Sequence, residues 1–562
     1  MWIASGRKAG TCRAAKRAGG IRGAKSSARF CHFIEVWRLH NRVACTSHDV
    51  SIMVIRQKEN HIFWFSHKLP LKSGKLFNNN IYGEMRNLRR RNRQINVQFI
   101  KFSRTLKYYM KPQNLLIIMS DQHTRKALGC YGHPLVKTPN LDRLAARGTL
   151  FKNAYCNSPI CVPARASFAT GRYVHDIGYW DNARPYEGSV PSWGHRLAYH
   201  GHNVESIGKL HYRSEQDPTG FDKQHIPMHV VGGAGDLLGS LRDGTALHSK
   251  YRGYHDDAGA GESGYTEYDR NITANATEWI KNKASHPDDK PWVGFVSLVC
   301  PHPPLQCPPE FYDMYLPNDM PWPTHHDVGE RSEHPAIKDV RIYHGIDEPL
   351  SDDAVRRSVS AYFGLCSYLD SNVGKILDVL DEVGLTDTTR VIYTSDHGET
   401  NGKHGVWGKC NMFEEAVGVP MIVAGDSVPE GQVLDTSITL VDIYPTVMDG
   451  VGIEQEQDDF CFPGTSLFEL ANGADPDRIA FAEFHAAASN TGSFMIRKGS
   501  LKYVHYVGYP DQLFDLINDP EEINDLSAGP QHQRMMQEMK GILLSIVDPV
   551  RVDALAKADQ SS

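Results

Sequence analysis

Residues 114–122 read Asn114-Leu-Leu-Ile-Ile-Met-Ser-Asp121-Gln122. An unbroken apolar run of this length, without polar alternation, is the pattern of a strand buried on both faces, as in a parallel sheet covered by helices. A second run has the same form, Arg390-Val-Ile-Tyr-Thr-Ser-Asp396-His397-Gly398. In open α/β sheets ligands bind beyond the carboxyl ends of strands, so two strands ending on Asp point to one site. Taken singly, an Asp after a strand is more often a helix cap or turn residue. Two carboxylates, an amide oxygen and an imidazole brought together would make a hard, mostly oxygen site for a divalent cation.

Outward from these runs, strand and helix signals alternate. Pro139 to Arg147 predicts a helix with Leu141, Leu144 and Ala145 on one face and Gly148 as its stop. Gly201 to Ile207, Pro291 to Cys300 and Val419 to Val423 predict further strands. Residues 353–383 predict one long helix or two abutting near Gly364, and Ser437 to Met448 another. The expectation is an α/β fold, a large mostly parallel sheet flanked by helices. After about Gly452 the runs shorten: Ile479 to Phe484, Ser493 to Arg497, Leu501 to Val507 and Gln512 to Asp515 predict a smaller antiparallel sheet, and Gln533 to Val547 one terminal helix. The expected organisation is a basic extension over 1–109, a catalytic domain over 110–452 and a C-terminal α+β subdomain over 453–562.

Charge separates the first of these from the rest. The 562 residues hold 61 Lys and Arg against 66 Asp and Glu, but residues 1–109 hold 23 and 4, leaving 38 and 62 for the body. An Arg-rich, acid-poor start is compatible with an organelle transit sequence or a nucleic-acid contact. The plainer expectation is an upstream segment that stays unfolded, with translation starting at Met110, a cytoplasmic location and no nucleic-acid partner. No stretch approaches the roughly 18 apolar residues of a membrane helix, so no membrane is expected. Eleven Cys without CxxC pairs indicate neither a disulfide framework nor a zinc ribbon, and a homo-oligomer is left open.

One cysteine has a distinctive setting, in Cys161-Val-Pro163-Ala-Arg165-Ala-Ser-Phe-Ala-Thr-Gly171-Arg172. Pro163 fits the first turn of a helix that stops near Gly171, which puts Cys161 at the N-terminus facing free N–H groups and the positive end of the dipole. Arg165, one turn on, is placed to hold that nucleophile by hydrogen bonds.

At this point the chain resembles the sulfatase family, with its alkaline-phosphatase-like fold, from about Asn114 to about Asp519. The resemblance rests on the strand ending in Asp121, Lys137-Thr-Pro-Asn-Leu-Asp142, Cys161 to Arg172, Gly208-Lys-Leu-His211, Pro301-His-Pro303, Asp396-His-Gly398 and Gly405-Val-Trp-Gly-Lys409. It implies a sulfuric ester hydrolase in which Cys161 is oxidised to formylglycine by a formylglycine-generating enzyme. It also implies a divalent metal, Ca2+ with Mn2+ or Mg2+ as alternatives, held by Asp121, Asp396, His397 and the modified Cys161, with Gln122 as a further ligand. Gln122 and His397, where many secreted sulfatases carry Asp and Asn, look like the choline-sulfatase and phosphonate monoester hydrolase branch.

In the implied mechanism the hydrated aldehyde presents two hydroxyls. One, activated by the cation and Asp396, attacks the sulfur while His302, helped by Lys409, protonates the departing alcohol. The other, deprotonated by His211, expels sulfate. Lys209 and Lys409 bind the sulfuryl oxygens, where fixed cations in a dry pocket stabilise developing charge. Without this register each Lys reads as a surface charge and each His as a structural residue. His404 is a further candidate for the pocket lining, and Tyr179, Trp180, Tyr186 and Trp193 for an aromatic face toward a quaternary ammonium. The expected substrate is a small-molecule sulfate ester. Alternatives are a phosphonate monoester or phosphodiester, which share its charge and tetrahedral geometry, or an unmodified anion-binding pseudoenzyme.

Overall fold

The computed structural model describes residues 50–58, 61–69, 111–235, 242, 249–454, 456 and 461–562. The chain divides into two compact units, Met1–Arg104 and Thr105–Ser562. In the first, β1 (Val50–Lys58) and β2 (His61–Leu69) pair as an antiparallel hairpin. These two strands lie within the basic extension that the sequence reading expected to stay unfolded; its other residues lie outside the described residues. Among the described residues no helix is long and apolar enough to cross a membrane.

The second unit opens with β3 (Asn114–Asp121), β4 (Gly148–Tyr155), β5 (Val204–Lys209) and β6 (Lys223–Met228). The two-residue β7 (Gly259–Ala260), β8 (Val293–Pro301) and the equally short β9 (Gln306–Cys307) follow. Then come β10 (Thr389–Ser395), β11 (Met421–Ala424) and β12 (Gln432–Thr439). Eight of these form one sheet in the order β12-β4-β11-β10-β3-β8-β5-β6. All neighbouring pairs are parallel except the two made by β11. The fold is thus the expected mostly parallel sheet with helices on both faces. In β3, Leu115, Ile117 and Met119 join one apolar layer while Leu116 and Ile118 join the other, which is why the run has no polar alternation.

Several expected boundaries move. Gly148 does not merely stop the helix Pro139–Ala146 but opens β4, a strand the sequence reading did not contain. Residues expected as a helix from Ser437 begin instead as the end of β12, whose β-branched Val433, Thr436, Ile438 and Thr439 suit a strand, and the helix starts at Ile443 and runs to Val451. Asp352–Glu382 is one continuous helix through Gly364. The glycine is there for close approach, since a Cβ would lie 2.6 Å from Cys307 Sγ. On this helix Asp370 accepts N–H bonds from Asn140 and Leu141 at 3.1 and 2.8 Å, capping the helix at Pro139. The 137–142 segment is therefore tied to the scaffold.

At the C-terminal end β13 (Ile479–Phe484), β14 (Ser493–Lys498), β15 (Leu501–Tyr506) and β16 (Gln512–Asp515) form the expected antiparallel sheet. Two helices follow it rather than one, Gln533–Ile546 and Pro549–Gln560. Asp548 caps the second by accepting the Arg551 N–H at 3.1 Å, with Pro549 in its first turn.

A buried ion network joins this sheet to the loop that follows β10. Lys502 of β15, fully buried, donates to Glu414 at 3.0 Å and Glu522 at 2.7 Å. Glu414 also pairs with Arg125, four residues beyond Asp121. Burial pushes the Glu414 carboxyl up, but Lys502 and Arg125 outweigh it and hold the group at about 2. A depressed carboxyl contributes stability that is complete above its ordinary value of 4.5 and is lost as pH falls from there through about 2. Lys502→Met, which strands a buried charge, should cost about 3–5 kcal/mol at neutral pH. Urea midpoints measure this, and the variant's midpoint should fall less steeply than that of the wild type on acidification below the ordinary carboxyl value.

Candidate active site

Four adjacent parallel strands deliver their carboxyl ends to one edge of the sheet. β3 ends on Asp121 and Gln122, β10 leads into Asp396 and His397, β5 ends on Lys209 just before His211, and β8 leads into His302. Because β11 runs backwards beside β10, the connection between them begins and ends at the same edge and brings Lys409 there. Gln122 and His211 have φ of +66° and +59°, turning the chain sharply where the strands stop.

Cys161 opens the helix Cys161–Thr170, which ends at Gly171 with φ of +66°. A Cβ at Gly171 would also lie 2.6 Å from Tyr444, so both conformation and space demand glycine. The free N–H groups expected around residue 161 are fewer than the sequence suggested. Val162 donates its N–H to Asn182 at 3.0 Å, and Pro163 has none. What surrounds the thiol is charged side chains: Sγ lies 3.1 Å from Lys409 Nζ, 3.2 Å from His397 Nε2 and 3.8 Å from Asp121 Oδ1, and His211 and His302 also reach it. Burial alone would raise the thiol, yet Lys409, Lys209 and His397 drive it well below its ordinary range. The pocket is built to hold an anion at position 161.

Arg165 does not bond the nucleophile as expected. Its guanidinium donates from Nε to Asp396 Oδ2 at 2.7 Å, to Asp121 Oδ2 at 3.4 Å, to the Lys209 carbonyl at 2.8 Å and to Ser297 Oγ at 3.0 Å. Lys209 Nζ pairs with the same Asp121 oxygen. Each carboxylate thus gives Oδ2 to fixed cations and turns Oδ1 to the interior, where both Oδ1 atoms lie 3.6 Å from His397 Nε2 and that of Asp396 also accepts the N–H groups of Gln122 at 3.2 Å and His397 at 2.9 Å. His397 Nδ1 donates to the Gly398 carbonyl at 3.0 Å, so in the neutral imidazole, the form that binds a cation, Nε2 carries the lone pair. Ligand atoms of Asp121, Cys161, Asp396 and His397, all buried, lie within 4.8 Å of one another. This donor set, with lone pairs converging from four side chains, fits a divalent cation.

Gln122 turns its amide oxygen to Lys409 Nζ at 2.8 Å and its amide nitrogen to Glu399. Asp121, Gln122, Asp396 and His397 are closed to solvent, whereas His211 and His302 are half-buried, so the pocket opens on the two imidazoles.

Other expectations fall away from this pocket. His404 stacks on Phe413 at 4.1 Å and reaches the Glu521 carbonyl. Tyr179, Trp180, Tyr186 and Trp193 are buried and form no open aromatic face. Trp193 packs against Phe168 and Phe295, and Trp180 against His485 with its Nε1 on Asp559. The sequence reading missed Ser297 and Glu399. A lone polar residue inside the apolar β8 run was the signal for the first, and adjacency to Asp396-His-Gly398 the signal for the second.

Comparison with known proteins agrees with this geometry. Residues 113–453 match the family model described as sulfatase, and residues 402–548 match the model for the C-terminal part of N-sulphoglucosamine sulphohydrolase. A choline-sulfatase of Rhizobium meliloti (strain 1021) is 31% identical over 460 residues, covering 80% of this chain and 89% of that protein. Arylsulfatase K of Xenopus laevis is 27% identical over 465 residues, covering 78% and 83%. Among solved structures, the phosphonate monoester hydrolase of Agrobacterium radiobacter superposes with a TM-score of 0.61 at 22% identity, covering 79% of this chain and 96% of that one, and shows the shared fold. With a family model spanning most of the chain and a relative above 30% identity over four fifths of it, the protein belongs to the sulfatase family and is a sulfuric ester hydrolase.

Proposed function

We propose that the protein hydrolyses a small sulfate monoester to an alcohol and sulfate, with residue 161, oxidised from cysteine to formylglycine by a formylglycine-generating enzyme, as its nucleophile. The observation that carries this reading is the setting of Cys161 Sγ, 3.1 Å from Lys409 Nζ and 3.2 Å from His397 Nε2, in a pocket shared with Asp121 and Asp396. Asp121 Oδ1, Asp396 Oδ1, His397 Nε2 and the side chain of residue 161 would hold a divalent cation. A carboxylate-rich set favours Ca2+, with Mn2+ and Mg2+ as alternatives. When bound, the cation supplies positive charge that favours the ionised form of a hydroxyl on residue 161.

The remaining roles belong to the chain. Lys209 and Lys409 receive the sulfuryl oxygens, and as fixed donors they need no reorganisation as charge develops. Arg165 holds the two carboxylates and, through its own helix, the position of residue 161. His302 donates its Nδ1–H to the Pro303 carbonyl at 2.6 Å, and as the imidazolium, which burial and Lys409 oppose and Asp121 favours, it delivers the Nε2 proton to the departing oxygen. His211, which also reaches residue 161, removes the proton whose loss releases sulfate. The likeness to a choline-sulfatase makes choline sulfate and simple aryl sulfates the first esters to assay, with a phosphonate monoester and a phosphodiester in parallel.

Mass spectrometry of the peptide spanning residue 161 should find the aldehyde or its hydrate, and an active preparation containing only the intact thiol would overturn the mechanism. Cys161→Ala should remove turnover while leaving the urea midpoint close to that of the wild type. Elemental analysis should find about one divalent cation per folded chain, as a single four-donor site requires. His397→Ala and Asp396→Asn should each lower that content, and full occupancy in both variants would place the cation elsewhere.

A further inference from the structure

Glu399 is a buried carboxylate that the proposed mechanism does not use. Only 4% exposed, it follows the Asp396-His-Gly398 turn directly. One oxygen accepts the N–H of Asn401 at 2.8 Å and the N–H of Gly408, and the other accepts the side-chain N–H of Gln122. Both oxygens are committed, so the carboxylate is fixed in orientation.

These bonds converge on Lys409 from two directions. A glutamine side chain has an acceptor at one end of its amide and a donor at the other. Donation from Gln122 Nε2 to Glu399 turns Gln122 Oε1 toward Lys409 Nζ, which it meets at 2.8 Å, and Nζ then lies 3.1 Å from Cys161 Sγ. A reversed amide would set N–H against the ammonium and carbonyl against the carboxylate, two repulsive contacts in a buried site. The second direction is the backbone. Gly408, the neighbour of Lys409, has φ of +82°, and Tyr251 Oη lies against the position a Cβ would occupy. Its N–H is held by Glu399.

We infer that Glu399 is a positioning residue for Lys409, aiming the ammonium at residue 161 through the Gln122 amide and anchoring its backbone through Gly408. The inference rests on the reading of Lys409 as a group that touches the substrate. It accounts for an amide at position 122, because a carboxylate there would face Glu399 and could not donate to it.

The test is steady-state hydrolysis of a sulfate ester by the full-length protein carrying Glu399→Gln. This isosteric change leaves one acceptor oxygen where two directions need serving. kcat/KM should fall about 10- to 100-fold, as for other residues that orient a reacting group, with a thermal midpoint close to that of the wild type. Lys409→Ala should be impaired, and the Glu399→Gln/Lys409→Ala double variant should be no slower than Lys409→Ala alone, because both act through one group. Gln122→Met, which removes the relay from its other end, should show the same non-additivity. Wild-type turnover in Glu399→Gln, or losses that multiply in the double variants, would overturn the inference. Full turnover in Lys409→Ala would instead refute the role given to Lys409.

Discussion

Two carboxylates closed to water cannot lie side by side at the end of a sheet without compensation, and one guanidinium supplies it. Arg165 bonds Asp121 and Asp396 together, with Lys209 on the Asp121 oxygen it shares. Arg165 sits one turn after Cys161 on the same helix, so neutralising the carboxylates also fixes the position of residue 161. The sequence spacing Cys-x-Pro-x-Arg therefore encodes an indirect contact. The arginine orients residue 161 by locking its helix against the two carboxylates beside it.

Much of this was legible in the sequence because buried parallel strands leave an unbroken apolar signature and the residues that end them are polar. Asp121, Asp396 and His397 could be placed at one edge from β3 and β10 alone. What could not be read depends on partners distant in the chain. β4 is only half apolar, with Lys152 exposed and Asn153 partly so, and its strand character comes from pairing with β11 and β12. The start of β12 reads as well as a helix as a strand until β4 is beside it. The aromatic residues at 179–193 follow the nucleophile in sequence yet pack into the core, because the chain turns away at Gly171 and Gly178. Adjacency in sequence to the Cys161 motif misled for Trp180, whereas adjacency to Asp396-His-Gly398 was a signal for Glu399 that the sequence reading left unused.

The charge distribution has the same local logic. The body of the chain is strongly acidic, yet the pocket gathers Arg165, Lys209 and Lys409 against two carboxylates, and Cys161 responds to that local field with a depressed thiol. A singly charged ester is attracted by the few cations that line its pocket, whose field is strengthened by burial, while the surface charge lies where water screens it.

The loop carrying Lys409 shows why the C-terminal sheet stands where it does. From Asp396 to Gly418 this segment has only short helical turns, so its conformation must come from outside. Its front is set by Glu399, Gln122 and Tyr251. Its far end is set by Glu414 and Glu415, whose carboxylates reach back to Arg125 and Lys126, which follow β3. Glu414 pairs with Lys502 and donates its N–H to Glu522, and Lys403 bridges Glu415 to Glu521 of the C-terminal part. Buried pairs of this kind add little net stability once desolvation is counted, but they are directional. A loop without a regular hydrogen-bond ladder gains a single conformation from charges that can be satisfied in one arrangement only. The antiparallel sheet thus helps to fix the loop that carries Lys409, by closing the ion network at its far end.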